Sequence, residues 1–201
     1  MCQMSCHSSG FSERGHPAGM HICYLYNHEN ERRHTIAQFI QSGLLAGEKI
    51  GYLADIPQTI KMDTYLSRLG MTPPDNLKPE QWVLAQTETT YCPDGTFQPE
   101  RMIDHWRSFY IQAQQESFAG VRVTGETNWL GKKLPGIERW IEYEAMLNDL
   151  VDELPFQRIL CQYDVNKMDG AMLFEVLSVH PMMIVAGQIV HNPYFQQSKT
   201  S

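Results

Sequence analysis

Between Tyr24 and Thr35 the chain reads YLYNHENERRHT, and this stretch sits between the apolar run HICYL and the amphipathic stretch TIAQFIQSGLLAG. A strand, a turn and a helix in that order can form a phosphate-binding loop. Glycines there let successive backbone N–H groups face a phosphate while a lysine reaches its terminal oxygens. This turn has neither glycine nor lysine; it carries Asn27, His28, Glu29, Asn30, Glu31, Arg32, Arg33 and His34. Arg32, Arg33 and His34 near a helix N-terminus suit a small polar or anionic ligand. The mixed charge of ENERR suits a solvated helix start equally well.

Other groups with chemistry to offer stand where apolar runs end. Tyr26 and Asn27 close the first run, Asp55 the second, Glu126 the segment GVRVTGE, and Tyr163 with Asp164 the segment ILCQYD. Trp129 follows Glu126 closely enough to provide an apolar wall, and Gly125 before it suggests an unusual backbone. Glu144 shares a helical face with Trp140 and Leu147, so its carboxylate needs a partner, for which Arg122 is a candidate. Arg122 or another core cation is equally a candidate partner for Glu126. Several acids around one cleft suit acid–base chemistry or a bound cation. No nucleophile stands at a diagnostic spacing from a base. His180 ends a helix, where a partial positive charge is favourable without any function, and Asn192-Pro193 reads as a turn.

The elements that must position these groups alternate regularly. Strand patterns at HICYLY, KIGYLAD, WVLAQ, GVRVTG, FQRILCQYD and MMIVAGQIV interleave with helical ones. Ile36, Phe39, Ile40 and Leu44 mark one helix; Met62, Tyr65, Leu66 and Leu69 mark the next. Met102, Trp106, Phe109 and Ala113 mark a third, entered at Pro99, and IERWIEYEAMLNDLVDEL and GAMLFEVLSVH complete the set. Such alternation predicts a mostly parallel sheet with helices on both faces. Ligands in such sheets bind outside the carboxyl ends of the strands, where the residues above would gather.

With 201 residues, 42% of them hydrophobic, the chain is sized for one α/β domain. A formal net charge of −7 argues against sequence-independent nucleic-acid binding. MMIVAGQIV, the longest apolar run, is too short to span a bilayer, and the first twenty residues lack the apolar core of a signal peptide. A cytoplasmic location is therefore expected, with the five cysteines reduced. Residues 1–19 read as a flexible leader and 196–201 as a flexible tail. Cys2, Cys6 and His7 of the leader, with His16 or His21 as a further ligand, form a metal or redox alternative.

The segments HICYLYNHENERRHTIAQFIQSGLLAGEKIGYLAD, FQPERM, GVRVTGETNW, YEAMLN, ILCQYD, VHP and HNPYF, in this order, resemble the MEDS family. MEDS is a sensory domain named for methanogens, methylotrophs and the dichloromethane regulator. The likeness spans about residues 20–195. It implies a three-layer RecA/KaiC-like α/β fold whose phosphate loop has degenerated. In the register that puts Thr35 on the loop's Ser/Thr, His28 and Arg33 occupy the two glycine positions and His34 that of the lysine. Side chains there obstruct phosphate and leave the magnesium site incomplete.

The resemblance therefore implies a non-catalytic ligand sensor without a cofactor. Its ligand would be a small molecule such as a hydrocarbon derivative. Its output would pass to a histidine kinase or DNA-binding regulator, and a homodimer is compatible with that role. The candidate ligand-binding residues are Tyr26, Arg32, Arg33, His34, Asp55, Glu126, Trp129, Glu144, Tyr163 and Asp164. The competing readings are a RecA-type ATPase and a Cys/His sensor built on the leader.

Overall fold

The computed structural model describes residues 19–56, 62–72, 77–154 and 157–196. Cys2, Cys6, His7 and His16, most of the leader and nearly all of the tail lie outside these residues. Seven strands form one sheet: β1 (Met20–Tyr26), β2 (Lys49–Ala54), β3 (Trp82–Gln86), β4 (Val121–Glu126), β5 (Gln157–Asp164), β6 (Met182–Val185) and β7 (Gln188–His191). Their order is β3-β2-β4-β5-β1-β6-β7, and every pairing is parallel except the last, between β6 and β7.

The helices are α1 (Glu29–Leu45), α2 (Met62–Arg68), α3 (Thr87–Tyr91), α4 (Pro99–Gln115), α5 (Trp140–Glu153) and α6 (Gly170–Val179). Side chains alternate along each strand, so each strand feeds two cores. Ile22, Tyr24 and Tyr52 pack with Ile36, Phe39 and Ile40 of α1 and with Leu66 of α2. Cys23, Val123 and Ile159 pack on the opposite face with Trp106 of α4, Leu147 of α5 and Val176 of α6. The sheet is thus the middle of three layers, as the alternation predicts.

Two elements differ from the sequence reading. MMIVAGQIV is a hairpin rather than one strand: β6 and β7 pair antiparallel across Ala186 and Gly187, both at positive φ (48° and 72°). Positive φ at both central residues makes the tight turn that matches the strand twist. TETTY forms the short helix α3, which has no apolar periodicity to announce it.

At the amino ends of the central strands, Arg122 and Arg158 face each other across the β4–β5 pair. Both are buried, and the buried Glu48 just before β2 bridges them. Arg122 Nε donates to Glu48 at 2.6 Å, its NH1 donates to the Phe39 carbonyl at 2.8 Å, and Arg158 NH1 donates to the other Glu48 oxygen. Arg122 therefore serves Glu48, not Glu144 or Glu126. Glu144 packs on the opposite face of the sheet, and Glu126 lies four residues along the same strand, about 13 Å away at the usual strand rise.

Candidate functional site

The carboxyl ends of the strands meet at one edge of the sheet, and register decides which side chains share it. Glu126 lies opposite Gln162, and Tyr26 opposite Asp164. On the α1 side, the first turn of the helix lowers Arg32 into this edge, where it is 7% exposed. Its NH1 donates to the Tyr52 hydroxyl (2.9 Å), to Glu126 Oε1 (3.0 Å) and to Gln162 Oε1 (2.9 Å). Its Nε and NH2 grip both oxygens of Glu29 at 2.7 and 2.6 Å, and the Tyr26 ring lies 5.7 Å from the guanidinium carbon. Burial opposes the charge, but the Glu29 bonds and the nearby Tyr52 and Glu126 raise the guanidinium's pKa above its ordinary value.

Glu126 is equally engaged, accepting from Tyr52 at 2.8 Å and from the Asp55 backbone N–H at 3.1 Å. It is therefore not displayed at the sheet edge as the sequence suggests; it is 6% exposed beneath α1. Where a phosphate loop would hold an anion, this chain holds a guanidinium between two carboxylates. An anion entering there would have to displace Glu29 or Glu126. Gln162, Tyr52 and Glu29 complete the arrangement and are not among the residues picked from sequence. Gln162, a polar residue inside an apolar run, was the available signal.

Arg33 touches this cluster only from outside, through Glu29, and His34 does not join it. Both are exposed, Arg33 donating to Glu29 at 3.0 Å, and both border a shallow groove beside Arg68 on the outer side of α1. The Asp55 side chain is exposed, and only its backbone contributes.

The other side of the same edge, toward α5 and α6, is open. A cleft of about 580 Å³ runs between the turn after β4 and these two helices. Leu130, Ile137, Trp140, Ile141, Met168 and Met172 form its apolar wall. Tyr163 and Asp164 mark the end of β5 within it; the other charged lining groups are Glu138, Asp169, Glu175 and Lys167. Four carboxylates against one ammonium make a rim unfavourable to anions. Volume and character both fall in the range of small-molecule sites.

Trp129 does not close this cleft, although Asn128 and Leu130 on either side of it line the wall. It is fully buried, stacked on Tyr91 at 4.8 Å and edge-on to Trp140 at 5.5 Å. The role of Gly125 is steric rather than conformational. A Cβ there would lie 2.8 Å from the Tyr91 hydroxyl, so glycine is what admits the ring against the strand.

Glu144 is wholly buried beneath the cleft. Its Oε1 accepts from the Tyr163 hydroxyl at 2.6 Å, and its Oε2 lies 2.9 Å from His21 Nε2 and 3.2 Å from His180 Nε2. Burial alone would raise its pKa, but His180 and His21 hold the carboxyl well below the usual carboxylate range. Tyr163 thus links this buried cluster to the cleft above.

A central parallel sheet sandwiched between helices, with strand–turn–helix at its leading edge, defines the chain as a RecA/KaiC-like α/β domain. It resembles the flagellar accessory protein FlaH of Methanocaldococcus jannaschii with a TM-score of 0.59 and 10% identity. That alignment covers 92% of this chain and 85% of FlaH. A KaiC-like protein of Pyrococcus horikoshii gives 0.59 at 14% identity, covering 90% of this chain and 79% of the other. No curated protein matches the sequence. The family model for the methanogen/methylotroph, DcmR sensory domain, MEDS, matches residues 20–181, and the chain belongs to that family.

Proposed function

We propose that this chain is a non-catalytic sensor that binds a small organic molecule in the cleft between Leu130, Trp140 and Met172. The ligand is neutral or cationic, and its occupancy is passed to a regulatory partner such as a kinase or DNA-binding protein. Membership of a sensory family supports the class of function. The observation that carries the reading is the saturated Arg32: the phosphate-loop position is filled by the protein's own ion pairs, while the adjacent cleft is open. Nucleotide hydrolysis does not fit an edge whose buried Arg32 already serves two carboxylates. Tyr163 offers a route for the signal, because it lines the cleft and donates to the buried Glu144.

Methyl NMR of methionine-labelled protein tests this directly, since Met168 and Met172 lie in the wall. Titration with dichloromethane and with tetramethylammonium is expected to shift those two resonances saturably with at least one of the probes. Acetate is expected to leave both unmoved. Shifts with acetate alone, or none with any of the three, would remove the cleft from consideration.

A further inference from the structure

Beneath the cleft, four side chains from four elements converge. His21 comes from β1, Glu144 from α5, Cys161 from β5 and His180 from the turn after α6, and all four are buried. Their ligating atoms all lie within 4.8 Å of one another. His21 Nε2 is 2.9 Å and His180 Nε2 3.2 Å from Glu144 Oε2, while Cys161 Sγ is 3.4 Å from that oxygen and 3.5 Å from His21 Nε2. Bonds of about 2.0–2.3 Å at tetrahedral angles require donor separations of about 3.3–3.8 Å. These four separations are within a few tenths of an ångström of that range, and the widest of the set must close by about 1 Å to meet it.

The surroundings fix how these groups present themselves. His180 Nδ1 lies 2.7 Å from the Val176 carbonyl, which can only accept, so that nitrogen carries a proton. Asn148 Nδ2 donates to the Val179 carbonyl at 2.8 Å, which turns its oxygen toward His21 Nδ1 at 3.0 Å. His21 Nδ1 is therefore a donor as well. Its Nε2 is then the ring atom turned toward Glu144 Oε2, at 2.9 Å. His180 Nε2 faces the same oxygen and makes no hydrogen bond among the described residues. Two imidazole nitrogens, a carboxylate oxygen and a thiol sulfur thus converge on one buried position, where a shared cation would satisfy all four.

We propose that His21, Glu144, Cys161 and His180 form a closed tetrahedral site for one divalent ion of the zinc class. Two imidazoles and a thiolate are the donors such an ion prefers. One thiolate and one carboxylate balance its charge, so the loaded centre is neutral, as burial demands. The Nδ1 bonds to Asn148 and Val176 and the Tyr163 bond to Glu144 Oε1 are the outer contacts that orient metal ligands in such sites. A second cleft, bordered by His21, Asn148 and Pro181, provides an entry path. Binding ties β1, β5, α5 and the α6–β6 turn together directly behind Tyr163.

The full chain, stripped by chelation and titrated with Co(II) and then Zn(II), provides the test. One equivalent of Co(II) is expected to give the visible bands of a tetrahedral ion and a thiolate-to-cobalt charge-transfer band, both erased by one equivalent of Zn(II). Cys161→Ser is expected to abolish the charge-transfer band. Asn148→Ala is expected to weaken affinity about 10- to 100-fold. The double variant Cys2→Ser/Cys6→Ser is expected to leave the spectrum unchanged, which separates this site from the leader. Should the ligand variants fail to fold, X-ray absorption of the Zn(II)-loaded wild type decides, with two imidazole nitrogens, one sulfur and one oxygen expected. Absence of saturable binding by the folded wild type would overturn the proposal. So would a charge-transfer band that survives Cys161→Ser or vanishes with Cys2 and Cys6, or a metal shell without sulfur.

Discussion

Arg32→Met keeps most of the side chain's apolar stem and removes its charge. Glu29 is half-exposed on its side chain and returns to water at little cost, whereas the Glu126 side chain is 8% exposed and cannot. Removing one partner of a buried ion pair costs about 3–5 kcal/mol. Glu126 keeps the donations from Tyr52 and from the Asp55 N–H, which places the expected loss near the lower end, at about 3 kcal/mol. For a chain of this size that corresponds to a Tm lower by about 6–12 °C. Urea unfolding of the wild type, Arg32→Met, Glu126→Gln and the double variant measures it. The double variant is expected to be more stable than the sum of the single losses implies, by about 1–3 kcal/mol, because neither charge is then left alone. A loss below about 1 kcal/mol for Arg32→Met, or strict additivity, would show that the guanidinium does not hold this edge closed.

Glu48→Ala leaves two buried guanidiniums, those of Arg122 and Arg158, without the carboxylate between them, and is expected to cost at least about 3–5 kcal/mol in the same assay. Gly125→Ala places a methyl 2.8 Å from the Tyr91 hydroxyl and is expected to cost about 1–3 kcal/mol. Tyr91→Phe in that background is expected to recover part of the loss, and thermal melts of both variants check this. The Glu29 carboxyl is held below its ordinary value of 4.5, first of all by the Arg32 hydrogen bonds. Its contribution is therefore complete above that value and is lost as pH falls through the lower folded one. Acid titration of stability is expected to show a smaller loss below pH 4.5 in Arg32→Met than in the wild type.

The layers of the fold were legible because period-2 and period-3.6 patterns report burial directly. Met102, Trp106, Phe109 and Ala113 specify their helix whatever lies opposite. The gathering of Tyr26, Glu126, Tyr163 and Asp164 at one edge was legible for a related reason: parallel strands all end on the same side. Partner choice was not legible. Arg122 and Glu144 are suggestive in sequence but lie on opposite faces of the sheet, and that depends on the registers of β4, β5 and β1 together. For the same reason the strand-end residues divide between the two sides of the edge, Glu126 beneath α1 and Tyr163 toward α5. His21 and His180 lie 159 positions apart, and their tilted rings meet at 4.1 Å only because β1 and β6 are neighbours. No local pattern encodes that contact. The hairpin at Ala186-Gly187 escaped because its first turn residue is alanine, which rarely adopts positive φ.

Isothermal titration of the wild-type chain with Mg-ATP, alongside methionine-methyl spectra, tests most directly whether the phosphate-loop position has been closed by Arg32, Glu29 and Glu126. No saturable heat is expected below millimolar nucleotide, because the turn from Asn27 to His34 carries no glycine or lysine and Arg32 is already paired. Met168 and Met172 are expected to stay unmoved throughout. Micromolar Mg-ATP binding accompanied by phosphate release would contradict the closed loop and return the chain to the nucleotide hydrolases.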